Sequence, residues 1–127
     1  MIESDGKLLL LAKEICPKVK TQLIVTWPAN LPKLAEKYQP DAMSFGWLQE
    51  PAYVSFISKA LFKANAKRVN LKKQIEEVKL QGKGIKVWAG IFNEPEDMLY
   101  YMDLGVDGIF TDNPKLLFDL IENKKIP

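Results

Sequence analysis

Residues 84–117 read Gly-Ile-Lys-Val-Trp-Ala-Gly-Ile-Phe-Asn-Glu-Pro-Glu-Asp-Met-Leu-Tyr-Tyr-Met-Asp-Leu-Gly-Val-Asp-Gly-Ile-Phe-Thr-Asp-Asn-Pro-Lys-Leu-Leu. Two runs of β-type residues, Ile85 to Phe92 and Asp107 to Thr111, alternate with two amphipathic runs that open at Pro95 and Pro114. Proline suits the first helical turn because its missing N–H has no intrahelical acceptor there and its fixed φ is already helical. Asn113 stands where an N-cap is needed, and Leu116, Leu117, Leu120 and Ile121 follow at helical spacing. Glu96 and Asp97 occupy the first turn of the preceding helix, where its dipole favours anions, Met98, Tyr101 and Met102 form its buried stripe, and Gly105 ends it.

The same unit recurs upstream. Gln22 to Trp27 and Ala42 to Trp47 read as strands, followed by helix-opening prolines at Pro32 and Pro51. A leading helix is predicted from about Ser4 to Cys16, an extra helix near Ala52 to Ala64, and another over Asn70 to Gln81, ended by Gly82 and Gly84. Strands alternating with helices require crossover connections, so the class is α/β with four parallel βα units behind a leading helix, in one unit spanning residues 1–127. No Gly-x-Gly-x-x-Gly follows any strand, which removes the support for a dinucleotide site.

The stretch Leu104 to Pro114, joined to the Trp88 strand and the Asn93-Glu94-Pro95-Glu96 helix start, resembles the last two βα units of glycerophosphodiester phosphodiesterases. The resemblance implies the C-terminal half of a (β/α)8 TIM barrel. The family's reaction is metal-assisted hydrolysis of a glycerophosphodiester to glycerol 3-phosphate and an alcohol, a phosphoric diester hydrolase activity of phospholipid metabolism. The complete enzyme is expected to use a divalent cation, calcium or magnesium, with a histidine pair, an arginine, glutamates and an aspartate from the first strands. This chain departs from the family in one place: Trp88 is separated from Asn93 by Ala-Gly-Ile-Phe, so either Trp88 or Gly90 takes the place of the family's strand-ending tryptophan.

No histidine occurs in the 127 residues, which excludes Ser-His-Asp, Cys-His and zinc-histidine chemistry within the chain. No His-Arg-Gly motif is present, and Glu-x-Asp occurs once, at Glu3-Ser4-Asp5; without the histidines no catalytic residue and no metal ligand is assigned, and the chain alone is expected to be inactive. The residues expected to wall a substrate pocket are Trp88, Asn93, Asp112, Trp27 and Trp47, all late in or just after a strand, on the side where such barrels place their sites. Core filling is the other reading of the tryptophans, favoured for Trp27 and Trp47. For Asp112 the other reading is a helix-start carboxylate bonded to free N–H groups.

The single cysteine, Cys16, reads as a packed thiol. A net charge of +2 and a pI near 8.6 are too mild for a nucleic-acid partner. Lys63, Lys67, Arg68, Lys72 and Lys73 cluster at a helix-to-helix junction and read as solvated surface, with an anionic-lipid contact as the alternative. There is no run long enough for a membrane span and no visible signal peptide, so a soluble chain is expected.

Four parallel strands cannot close a barrel. Leu23, Val25, Met43, Phe45, Val87, Ala89 and Ile109 are expected to face inward and to need cover from the missing N-terminal barrel half or from a second copy in a homodimer. Pairing is expected through Thr21 to Trp27 or Asp107 to Thr111. The expected ligand is a small glycerophosphodiester or phosphate, the latter held by backbone N–H groups where the helices start at Pro95 and Pro114. The alternative function is a non-catalytic binding or assembly module that retains the half-barrel.

Overall fold

The structure is a computed structural model that describes residues 2–3, 6–47 and 51–125. Among the described residues five strands and six helices follow in the order β1 (Ile2–Glu3), α1 (Gly6–Ile15), β2 (Gln22–Ile24), α2 (Leu31–Tyr38), β3 (Ala42–Phe45), α3 (Ala52–Val69), α4 (Leu71–Leu80), β4 (Lys86–Gly90), α5 (Pro95–Leu104), β5 (Gly108–Phe110) and α6 (Pro114–Lys125). All neighbouring strands pair in parallel, in the spatial order β1-β2-β3-β4-β5. The four expected strands are present, and β1 adds a fifth that two residues were too few to announce. The expected start of the leading helix at Ser4 lies outside the described residues.

The helix starts follow the cap chemistry. Asn30 Oδ1 accepts from Lys33 N at 3.2 Å, and Asn113 Oδ1 accepts from Leu116 N at 3.2 Å. Asn70, at φ 53°, ends α3 in the left-handed conformation and caps α4 through its side chain, so one residue makes the whole corner. Gly105, at φ 91°, closes α5 in the same left-handed way.

The core has one side. Leu23, Val25, Met43, Phe45, Val87 and Ala89 are buried beneath a layer supplied by Leu9 of α1, Leu31 and Ala35 of α2, Phe62 and Ala66 of α3, Leu71, Ile75 and Val78 of α4, and Tyr101 of α5. The strand residues expected to face inward are therefore already covered by the chain's own helices. The opposite face carries Gln22, Ile24, Ser44, Lys86, Trp88 and Phe110, of which Ile24, Lys86 and Phe110 are exposed. The alternation was legible, but its phase was not: shifting the assignment by one residue exchanges the two faces. Strand β2 also lies between β1 and β3, so the expected pairing edge at Thr21 to Trp27 is interior, and the sheet edges are β1 and β5. Cys16, expected to pack, is exposed just beyond the end of α1.

Two matching clamps fasten the N-terminal ends of the strands. Lys13 Nζ donates to Gln39 O at 3.0 Å across 26 residues and pairs with Asp41 at 3.5 Å, while Thr21 N donates to Asp41 Oδ2 at 2.7 Å across 20 residues. Lys79 Nζ donates to Gly105 O at 2.6 Å across 26 residues and pairs with Asp107 at 3.4 Å, while Val87 N donates to Asp107 Oδ2 at 2.8 Å across 20 residues. In each clamp an aspartate before one strand accepts from a backbone N–H near the start of the strand beside it, Thr21 just before β2 and Val87 second in β4, and a helix lysine ties that carboxylate to the carbonyl of a left-handed helix end.

Partial burial works to raise the Asp41 pKa, but the Thr21 N–H and the charges of Lys13 and Lys20 outweigh it and hold the carboxyl below its ordinary value. A depressed folded pKa means the stabilisation is present above the unfolded value, about 3.9, and is lost as pH falls through the folded one. Asp41→Asn is expected to cost about 1 kcal/mol at neutral pH, discounted for a half-exposed pair. Urea unfolding from pH 7 to pH 3 is expected to show the gap between variant and parent closing on acidification; a gap that stays constant would refute the clamp.

Candidate functional site

The loops at the C-terminal ends of β4 and β5 are clasped together by side chains. Asn93 Oδ1 accepts from Asp112 N at 2.8 Å and from Thr111 Oγ1 at 3.0 Å, while Asn93 Nδ2 donates to Asp112 Oδ2 at 3.1 Å. Thr111 Oγ1 in turn accepts from Asn113 N at 3.0 Å. Two of the expected site residues, Asn93 and Asp112, are therefore partners, and both are exposed. Both the oxygen and the nitrogen of the amide hold the β5–α6 loop, and one carboxylate oxygen of Asp112 is engaged.

A cleft of about 460 Å3 opens at the C-terminal ends of β2, β3 and β4, between Thr26, Ser44, Gly46, Trp47, Ser58 and Gly90. A second, of about 360 Å3, lies beside it between Trp27 and the first turns of α3 at Tyr53, Val54, Ile57 and Leu61. Trp47 reaches the first cleft only by its edge. The ring is buried among Phe62, Phe92, Tyr100 and Tyr101 at centroid distances of 5.5, 5.1, 5.6 and 4.9 Å. Trp27 is about half exposed and lines the second cleft.

Trp88 lies apart from both. It projects from the open sheet face, packs edge-on against Phe110 at 5.4 Å, and lines a cavity with Lys20, Gln22, Asp41 and Lys86 toward the N-terminal ends of the strands. Gly90, two residues on, has φ 153°, and a Cβ there would come within 2.6 Å of the Phe110 Cβ, so that position has no room for a side chain. The structure joins Asn93 to Asp112 and sets Trp27 and Trp47 along neighbouring clefts; it does not bring Trp88 to either.

One feature of this end has no sequence signature. Asp97, 3% exposed, pairs with Lys59 of the inserted helix at 2.8 Å, and the same ammonium stands 5.3 Å from the centroid of Trp47. Lys63 lies over Tyr100 at 4.9 Å. Burial, reinforced by Tyr100 and Asp97, pushes the Tyr101 phenol far above its ordinary range, and burial raises Tyr100 as well, so neither phenol acts as a base at neutral pH. Among the described residues, no three of His, Cys, Asp and Glu stand close enough together to hold a metal ion. What the clefts offer is hydroxyl and backbone hydrogen bonding beside aromatic walls, which suits binding of a polar small molecule.

No protein-family model and no curated protein matches the chain. The fold is similar to that of a glycerophosphodiester phosphodiesterase from Parabacteroides distasonis ATCC 8503, at 16% identity and a TM-score of 0.65, covering 98% of this chain and 43% of that one. It is similar also to a protein from Silicibacter pomeroyi DSS-3 assigned as a glycerophosphoryl diester phosphodiesterase, at 20% identity and a TM-score of 0.67, covering 98% of this chain and 37% of that one. The chain thus spans well under half the length of these structures, and at such identities the likeness is one of fold.

Asn93→Ala is expected to cost about 1 kcal/mol and to accelerate exchange of the Asp112 amide at least about tenfold, because its acceptor is removed. Trp47→Ala is expected to cost about 3–5 kcal/mol and Trp27→Ala under about 1 kcal/mol by thermal unfolding. Equal losses for the two tryptophans would contradict their placement.

Proposed function

We propose that this chain is the C-terminal part of a glycerophosphodiester phosphodiesterase barrel that hydrolyses glycerophosphodiesters to glycerol 3-phosphate and an alcohol when complete. In this reading the chain supplies the scaffold and the pocket wall, Trp27, Trp47, Asn93 and Asp112, and the catalytic residues lie elsewhere. The observation that carries the proposal is the fold likeness over 98% of the chain to two structures bearing that name or assignment. The Leu104 to Pro114 motif supports it, since it falls on β5 and the start of α6.

Strand number bears on what completes the fold. A (β/α)8 barrel closes with eight strands, and this sheet has five, so three are required from the remainder. Two copies would bring ten. An N-terminal segment of three βα units therefore fits better than a homodimer, and it would pair with the free edges of β1 and β5. The divalent cation of the complete enzyme belongs to that segment in this proposal, because the described residues offer no ligand cluster, and no step of the reaction is assigned to this chain.

The test is hydrolysis of glycerophosphocholine by the 127-residue chain with calcium or magnesium. Turnover at background is expected, along with a rate that appears only when a three-unit N-terminal segment is joined or co-expressed. A robust chelator-sensitive rate from the chain alone would overturn the assignment of the chemistry to the missing segment.

A further inference from the structure

Helix α3 is apolar on two opposite faces. At 100° per residue, Phe62, Asn65, Ala66 and Val69 share the inner face, and all but Val69 are fully buried against the core. Tyr53, Phe56, Ile57, Ala60, Leu61 and Ala64 share the outer face, and every one of them is exposed. Tyr53 is 72% exposed and Phe56 76%, well above what scattered surface apolar residues require. Trp27 continues the patch across the neighbouring cleft. A helix that is apolar all round is normally buried on all sides, in a core or in lipid.

Charge selects the occupant. The 18 residues of α3 contain Lys59, Lys63, Lys67 and Arg68 and no Asp or Glu, and Lys72 and Lys73 open α4. Lys67 and Arg68 extend the outer face by one turn beyond Leu61 and Ala64, with Lys63 on its flank. The surface is thus an apolar ridge with a cationic end and border. A second copy of this surface would be repelled by its own charge, and a purely apolar partner would leave the cations unmatched. A phospholipid surface with anionic headgroups satisfies both parts at once, with rings and aliphatic side chains at the headgroup boundary and lysines on the phosphates. No helix among the described residues is long and apolar enough to cross a membrane, so contact with such a surface would have to be lateral.

We propose that the outer face of α3 docks on an anionic phospholipid surface, and that this sets the cleft between Trp27 and α3 against the lipid boundary. The inference stands on α3 alone and does not require the phosphodiesterase reading, so the two fail separately.

The test is flotation of the chain with vesicles of phosphatidylserine and phosphatidylcholine, and with vesicles of phosphatidylcholine alone; in flotation, bound protein rises with the lipid and aggregates sink. The parent is expected to float with the anionic vesicles, and less so at high salt. Phe56→Ser with Ile57→Ser, and Lys63→Gln with Lys67→Gln, are each expected to weaken binding about tenfold or more. Phe118→Ser, which removes an exposed aromatic ring from α6, is expected to bind as the parent does. Circular dichroism of each variant shows whether the fold is retained, and the α3 residues changed are surface ones. Failure of the parent to float, equal flotation with neutral vesicles, parent-like binding by the Phe56/Ile57 variant, or an equal loss with Phe118→Ser would each overturn the proposal.

Discussion

A parallel strand is reached from its neighbour only by a crossover, and when strands consecutive in sequence are also consecutive in the sheet, right-handed crossovers put every helix on the same face. The other features of this chain depend on that constraint. It buries Leu23, Val25, Met43, Phe45, Val87 and Ala89 beneath the helices and leaves Ile24, Trp88 and Phe110 on a face with no helical cover. It also gathers the loops that follow the strands at one end, where Asn93, Asp112, Trp27 and Trp47 lie. The likeness to much longer structures is one of fold, and the repeated one-sided units are what it consists of.

What could be read from the sequence was the local chemistry of boundaries. Asn113 before Pro114 and Gly105 after α5 each act through a hydrogen bond or one φ value, so residue identity is enough to place them, whereas Asn70, expected as the first residue of a helix, is the cap between two. The phase of the strands was not legible, because both faces of β2 to β4 carry apolar residues and a shift of one residue satisfies the alternation equally well. Strand β1 was missed because two residues show no period. The partnership of Asn93 and Asp112 was not legible either, since it depends on the β4–β5 register, which sets Gly90 beside Phe110 and so brings the two loops level.

Tryptophan shows the same limit from the side of packing. All three fall late in or just after a strand, yet they have three different environments. Trp47 is enclosed because α3 and α5 supply Phe62, Tyr100 and Tyr101 around it. Trp27 lines open cavities toward α3 on one side and Leu34 and Tyr38 of α2 on the other, and Trp88 has Phe110 on an open face. A sequence pattern gives the strand end but not the number of helices that converge on it.

The two ends of the sheet handle charge differently, and the difference fixes the standing of α3. At the N-terminal end, Asp41 and Asp107 are partly solvated and each serves a strand N–H and a lysine, so loss of either costs a bounded amount. At the C-terminal end Asp97 is buried and forms an ion pair with Lys59 of α3, which lies also against the Trp47 ring. Removing a partner from a buried charge costs about 3–5 kcal/mol because the remaining ion stays desolvated. Excising α3 would strip that partner from Asp97, remove Phe62 from Trp47, and take away Asn65 Nδ2, which donates to Pro28 O in the β2–α2 loop. The inserted helix is therefore part of the core it covers, and the rigidity of its inner face is what keeps its apolar outer face presented to the surroundings as a fixed surface.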